Sequence, residues 1–255
     1  MAAGETRRTD DVSGVARPAS ADDSSAAAEL PADARQTAPA DPSTGAELLA
    51  EAPPITDASP FTQEPVEVDP DTPDPPPQDV ADLSSACVRF IAARYGVTLD
   101  FSPETLSLVD QWIRDASAER MGRAELTELV QSTAGAYLGE VIRRAFGGTW
   151  VTGDTPMAGW KLCLSKVYCA FNPIGMAREA LLLEEAEGWH AHFELDPAER
   201  EAVEQRLAVL PAVPDAEFYA PSTRFDVVEI LVDALRSAMH SRGLGRVRFD
   251  VTDYQ

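Results

Sequence analysis

Two histidines and a glutamate at alternating positions, His190, His192 and Glu194 in the run WHAHFE, could hold a metal ion. On a β-strand successive side chains point to opposite faces, so both imidazoles and the carboxylate would share one face. Two imidazoles and a carboxylate can ligate a transition metal; the competing reading is a solvent-facing strand, and no second ligand cluster accompanies the three. A second constellation surrounds Glu140, with Tyr137 one helical turn before it and Arg143 and Arg144 three and four residues after. Such neighbours touch on a helix, either as an ion pair that anchors the helix end or as a binding or acid–base group. Ser132, Gly135 and Gly139 give the same helix a stripe of small residues. A mid-helix glycine costs roughly 1 kcal/mol relative to alanine, so something presses closely there, a neighbouring element or a ligand. Gly135, Gly139, Glu140, Tyr137 and Trp150 are therefore the candidate ligand- or partner-binding residues.

Other chemistry leaves no trace. No GxSxG elbow, Walker loop or GxGxxG fingerprint occurs, and Gly147 and Gly148 follow a helix and precede a strand, the wrong order for a helix N-terminus to cradle phosphate. Asn172 and Pro173 open a helix whose free amides offer an anion no more than any capped helix does. Cys87, Cys163 and Cys169 are an odd number at no ligand spacing, which points to a reducing compartment, the cytoplasm, and to small apolar packing roles. No catalytic residue is assigned, and no cofactor is implied.

The elements that position these residues are read from apolar spacing and from stop signals. The first helix is predicted over 83–95, capped by Asp82, with Leu83, Cys87, Phe90 and Ile91 inward and Gly96 as its stop. For the second, Ser102 caps, Pro103 occupies the first helical position, and Phe101 staples Leu106. The longest helix, 123–146, carries Leu126, Leu129, Val130, Tyr137, Val141 and Ile142 at helical spacing and is the central scaffold. The period then changes to two: a short strand at 150–152, and a hairpin over 160–171 turning at Ser165 and Lys166, with Cys163 and Cys169 on opposite faces. Further helices follow at 173–187, from 197 to near Leu207, and at 222–242, with strands at 189–194 and 246–251. This order lacks the regular alternation that builds a doubly wound sheet. It predicts an α+β fold: a helical N-terminal part packed on a small, mainly antiparallel sheet.

The first eighty residues differ in kind. They hold 13 of the 20 prolines, one aromatic residue, Phe61, and 17 acidic residues against 4 arginines, a net of −13 out of the −22 carried by the whole chain. Burial there cannot repay an ordering entropy of roughly 1–2 kcal/mol per residue. Residues 1–80 are therefore expected to be a disordered acidic tail rich in Pro and Ala, with DPDTPDPPP over 69–77 leaning to extended polyproline II. Residues 81–255 are expected to fold as a single domain. Arg7 and Arg8 precede Thr9, Asp10 and Asp11 rather than an apolar stretch, so no export signal is read. The acidic charge repels phosphate backbones and anionic lipid, which disfavours unaided binding to nucleic acid or membrane, so neither is expected as a partner, and favours a basic protein partner.

Gly135, Tyr137, Leu138, Gly139, Glu140, Val141 and Ile142, followed by Gly147, Gly148 and Trp150, resemble the GxYLGEVI and GGxW signature of uncharacterised bacterial domains, over about residues 105–175. The resemblance implies a helical segment feeding a small sheet and adds no catalytic residue. The bias to Ala, Arg, Asp and Pro resembles that of a high-GC bacterium. The leading expectation is a non-catalytic protein–protein interaction domain, an adaptor or immunity-like inhibitor with an acidic surface. The alternative is a small enzyme, or a ligand or metal sensor, using the Gly135/Gly139 groove or the His190, His192 and Glu194 trio.

Overall fold

The computed structural model describes residues 74–119 and 124–254. The acidic tail, up to residue 73, and the expected helix start at Arg123 lie outside these residues. Helix α1, Gln78–Tyr95, begins five residues earlier than its apolar pattern predicts, inside the stretch assigned to the tail. Pro77 supplies an extended N-terminal flank, and Val80 is the first core residue of the stripe Val80, Ser84, Cys87, Ile91. Asp82 accordingly sits inside the helix and accepts a hydrogen bond from Gln78. Phe90, expected inside, lies at the edge of the stripe, 38% exposed, with its ring 6.0 Å from that of Trp112.

The approach to α2, Leu106–Glu119, is built differently from the expected cap and staple. A 3₁₀ turn, Pro103–Thr105, precedes the helix, and Ser102 makes no side-chain cap. Phe101 instead adopts a left-handed backbone, φ 64°, and stacks on Tyr137, with ring centroids 4.8 Å apart. The Tyr137 hydroxyl accepts from Phe101 N at 2.8 Å and lies 2.7 Å from Thr105 Oγ1, so a residue of the third helix organises the start of the second.

That third helix, α3, Ala124–Phe146, has every residue from Val130 through Arg143 buried, and Leu129, expected inward, is half exposed. A helix buried on all sides needs neighbours on all sides, and its neighbours are α1, α2, the sheet, α4 (Pro173–Leu182) and α7 (Pro221–Ser241). Its polar residues are satisfied locally: the Ser132 and Thr133 hydroxyls donate back to carbonyls one turn earlier, and Gln131 Oε1 accepts from Arg178 at 2.9 Å.

Strands β1 (Gly148–Val151), β2 (Lys161–Leu164), β3 (Cys169–Phe171) and β4 (Glu194–Leu195) form an antiparallel meander in chain order. The β2–β3 register, Leu162 opposite Phe171 and Cys163 opposite Ala170, leaves a four-residue loop, 165–168, where a two-residue turn was expected. Tertiary contacts impose the longer loop. Val167 is fully buried, Tyr168 stacks on Tyr254 at 4.7 Å, and the Tyr254 hydroxyl lies 2.7 and 3.0 Å from the Leu164 and Val167 carbonyls while accepting from Cys169 N. Cys163 and Cys169 lie on opposite faces, as expected, since they are one register position apart across the pair. The expected strand 246–251 does not form. Its alternation is present, but it meets the 165–168 loop rather than a strand edge, through Phe249 N to Ser165 O, and passes into a 3₁₀ turn, Val251–Tyr254.

Helix α4 stops at Leu183, φ 56°, five residues before the glycine expected to end it. Helix α5, Pro197–Leu207, starts at the Asp196 cap as predicted; α6, Asp215–Phe218, is a single turn, and α7 matches its expected span to within a residue. Among the described residues no helix is long and apolar enough to cross a membrane. Tyr254→Phe removes only the hydroxyl that ties the 165–168 loop, leaving Cys169 N–H unpaired. We expect a loss of about 1–2 kcal/mol, read as a lower midpoint in urea unfolding with an unchanged slope.

Candidate functional site

Glu140 is the node of a buried polar network. The side chain, 1% exposed, receives Arg143 in a two-pronged contact, Nε to Oε1 at 2.8 Å and Nη2 to Oε2 at 2.9 Å. Trp150 Nε1 donates to Oε1 at 2.9 Å, and the more exposed Arg144 stands 3.8 Å from Oε2. The remaining Arg143 amino group, Nη1, donates to the Asp74 carbonyl at 2.7 Å. One carboxylate thereby joins α3, β1 and the segment that leads into α1. Planar guanidinium and carboxylate groups match in this arrangement, and ionised partners strengthen each bond. The network holds the chain together, as the ion-pair reading of Glu140 expects, and offers no open position for a substrate.

The glycine groove is filled by the chain itself. A Cβ on Gly139 would collide with the Trp150 ring, and one on Gly135 would meet the Ile174 backbone and stand 2.8 Å from Pro173 O. The missing side chains admit the indole that reaches Glu140 and the first turn of α4, which is the neighbouring-element reading; no room for a ligand remains between them. Tyr137 faces Phe101 and Thr105, and burial pushes its phenol above the ordinary range. Of the five candidates, Gly139, Glu140 and Trp150 meet. Gly135 lies one turn away under α4, and Tyr137 serves the start of α2.

The histidine trio is not assembled. His190 takes a left-handed backbone, φ 51°, and its carbonyl accepts from Asn172 N. That conformation breaks the alternation, and the strand runs only over Glu194–Leu195. Ala191 turns inward against Gly175 while His190 and His192 are exposed, and Glu194 pairs with Lys161 at 2.6 Å. Among the described residues no group of three or more His, Cys, Asp or Glu is placed to hold a metal ion. The amides that open α4 are taken by Asn172, which accepts from Ile174 and Gly175 and donates to the Met157 and Ala158 carbonyls. All three cysteines are buried free thiols; burial pushes Cys163 up to about 11 and Cys87 and Cys169 further, so none is a ready thiolate.

A second polar cluster, Asp110, Glu179 and Arg224, escaped the sequence reading. Asp110 of α2 accepts from Ser222 N at 3.1 Å and from Ser222 Oγ at 2.5 Å. It thus caps α7, whose own N-cap residue, Ala220, has no acceptor. Glu179 accepts from Arg224 Nη2 at 2.8 Å and from Ala186 N at 3.3 Å, the bond that turns the chain out of α4 early. The guanidinium lies over the Phe218 and Tyr219 rings at 4.7 and 5.2 Å, and its Nε is buried without a partner. Burial raises the Asp110 and Glu179 carboxyls above their ordinary ranges, outweighing the Ser222 bonds in one and the Arg224 charge in the other. No sequence signal distinguishes these residues, because their partners lie 112 and 45 positions away.

Beside this cluster a hollow of about 210 Å³ opens between α2, α4, α6 and the start of α7, lined by Asp110, Ile113, Arg114, Ala180, Leu183 and Ala216 among others. Leu183 and Phe218 are 42% and 38% exposed, and carboxylates are exposed on the adjoining chain: Glu184 and Glu185 past the end of α4, Asp215 and Glu217 on α6, and Asp226 on α7, while Asp110 and Arg114 are the charged residues of the lining itself. The arrangement is an apolar concavity flanked by carboxylates. No protein-family model matches the chain, and comparison with curated proteins and with solved structures found no match.

Removing the Glu140 carboxylate leaves Arg143 as an uncompensated buried cation. Glu140→Ala is therefore expected to cost about 3–5 kcal/mol, against about 1–3 kcal/mol for Trp150→Phe, which loses one hydrogen bond and part of the buried ring volume; urea unfolding of both variants measures the two losses. Asp110, with its folded pKa raised, holds a proton more readily folded than unfolded, so its contribution to stability falls as pH rises from its unfolded value, about 4, through its folded one. Asp110→Asn lacks that titration and should gain on the wild type between about pH 4 and pH 7 in thermal melts, whatever its offset at the acid end.

Proposed function

We propose that this chain is a non-catalytic protein–protein interaction protein, an adaptor or immunity-like inhibitor, that presents an acidic face to a basic protein partner in the cytoplasm. The observation that carries the reading is the carboxylate-flanked apolar hollow at the start of α7. An apolar centre with a polar surround is the anatomy of a docking surface. The volume, about 210 Å³, falls below the roughly 300–1,000 Å³ of small-molecule sites. The buried polar side-chain atoms of the described residues have hydrogen-bond partners within the chain, backbone or side chain, apart from Arg224 Nε, which supports a scaffold rather than a reaction centre. The buried thiols fit a reducing compartment. A chain charge of −22 disfavours nucleic acid and anionic membrane and favours association with a cationic surface. The alternative, a small enzyme or a ligand or metal sensor, draws less support: Trp150 and α4 fill the glycine groove, and among the described residues His190, His192 and Glu194 form no metal-holding group.

Capture with the full chain, in parallel with Glu185→Lys, Asp226→Lys and Glu229→Lys combined, tests the proposal. All three side chains are exposed, so the fold should survive the change. A basic protein recovered by the wild type and lost at least tenfold by the variant, with affinity falling as salt rises, is the expected result. Recovery of no partner, or of one indifferent to the reversal, overturns it.

A further inference from the structure

Four carboxylates are buried among the described residues: Asp110, Glu140, Glu179 and Glu199. Three of them hold an arginine, Arg143 on Glu140, Arg224 on Glu179 and Arg242 on Glu199. Asp110, 6% exposed, is the exception: among the described residues no cation stands within ion-pair distance of it. It is also the one of the four that lines the hollow at the start of α7. Arg114, the cation of the same lining, is exposed and gives its Nη2 to Gln111 Oε1 at 3.1 Å. A buried charge is ordinarily paired, so the hollow lacks a cation where the other three sites have one.

The shape and chemistry of the hollow say which cation fits. Its volume, about 210 Å³, has room for a single long side chain, and Ile113, Ala180, Leu183 and Pro221 give it apolar walls. A lysine side chain combines an apolar stem with a charged head, and it buries the stem readily where the head finds a partner. The carboxylate prefers lysine to arginine. Ser222 already spans both oxygens, its amide on Oδ1 and its hydroxyl on Oδ2, which occupies the two-pronged face that a guanidinium fork needs. The remaining lone pairs suit a compact ammonium. Burial holds the Asp110 carboxyl above its ordinary range, the state of an acid without a counter-charge, and the exposed carboxylates of Glu184, Glu185 and Asp226 on the adjoining chain attract a cation towards it.

We propose that the hollow is a lysine slot: one lysine of the basic partner lays its stem along Ile113, Ala180, Leu183 and Pro221 and brings its ammonium to the Asp110 carboxylate. The slot rests on the docking reading of this face and names the residue type by which the partner is anchored there.

The test adds n-butylammonium chloride, the stem and head of a lysine side chain, to the isotope-labelled full chain. 1-Butanol, of equal size and without charge, and methylammonium, with the charge and no stem, serve as comparators. Butylammonium should shift the amide signals of Ile113, Ala180, Leu183 and Ala216 along a saturating curve, with a dissociation constant of about 1–50 mM for so small a ligand. Each comparator should bind at least fivefold more weakly. Asp110→Asn, which keeps an acceptor for Ser222, should weaken butylammonium at least fivefold and leave 1-butanol within twofold; the wild-type comparison decides even where that variant does not fold. Shifts that do not saturate, 1-butanol binding as well as butylammonium, or a folded Asp110→Asn variant that binds butylammonium undiminished overturns the proposal. Capture separates it from the reading beneath it. A basic partner lost on reversal of Glu185, Asp226 and Glu229 but retained by Asp110→Asn leaves the docking face standing and sinks the slot, whereas saturable butylammonium binding with no partner recovered counts against the docking reading alone.

Discussion

A carboxylate withdrawn from water at the end of a wholly buried helix cannot stand alone. Glu140 therefore requires Arg143, and the Trp150 indole and the Asp74 carbonyl take up further hydrogen-bonding capacity of the pair. That requirement sets the position of β1 relative to α3 and fixes where the chain enters α1. It also explains the glycines: Trp150 reaches the carboxylate only by lying across a position with no Cβ, and α4 approaches the helix one turn earlier by the same means. The buried Glu140–Arg143 pair of the central helix is thus completed from outside that helix by the Trp150 indole and the Asp74 carbonyl.

A second buried carboxylate does the corresponding work on the other side of the fold. Glu179 ends α4 by drawing the Ala186 amide back and holds α7 through Arg224, while Asp110 supplies the cap that α7 lacks. Each of these groups joins two elements that the chain separates widely. Polar burial here specifies which surfaces meet, whereas apolar area supplies most of the drive to bring them together.

The outer face of α7 sorts its charges along the axis. Asp226, Glu229 and Asp233 precede Arg236 and His240 along the helix, with Arg242 just past its end, the order that the helix dipole favours. The helix consequently presents an acidic neighbourhood, with the apolar hollow, at one end and a basic one at the other.

The helices of this protein were legible in its residues wherever a local signal sufficed. Asp196 with Pro197, Asn172 with Pro173, and the apolar spacing of α7 placed three helix starts, the spacing of α3 marked the scaffold, and the switch to a period of two after Gly148 located the antiparallel sheet. The small-residue stripe announced a close approach without naming the approaching element. What the residues alone did not contain was any outcome resting on a distant partner. The 165–168 loop follows from Tyr254, the early end of α4 from the Glu179 bond to Ala186, and the loss of the last strand from the absence of an edge beside it. The histidine trio failed for a related reason: the chain at His190 turns left-handed to give its carbonyl to Asn172, which no alternation of residue types records. Propensity and periodicity act over a few residues, so they decide elements. Burial of charge acts across the whole fold, and it decided which of the marked residues would meet.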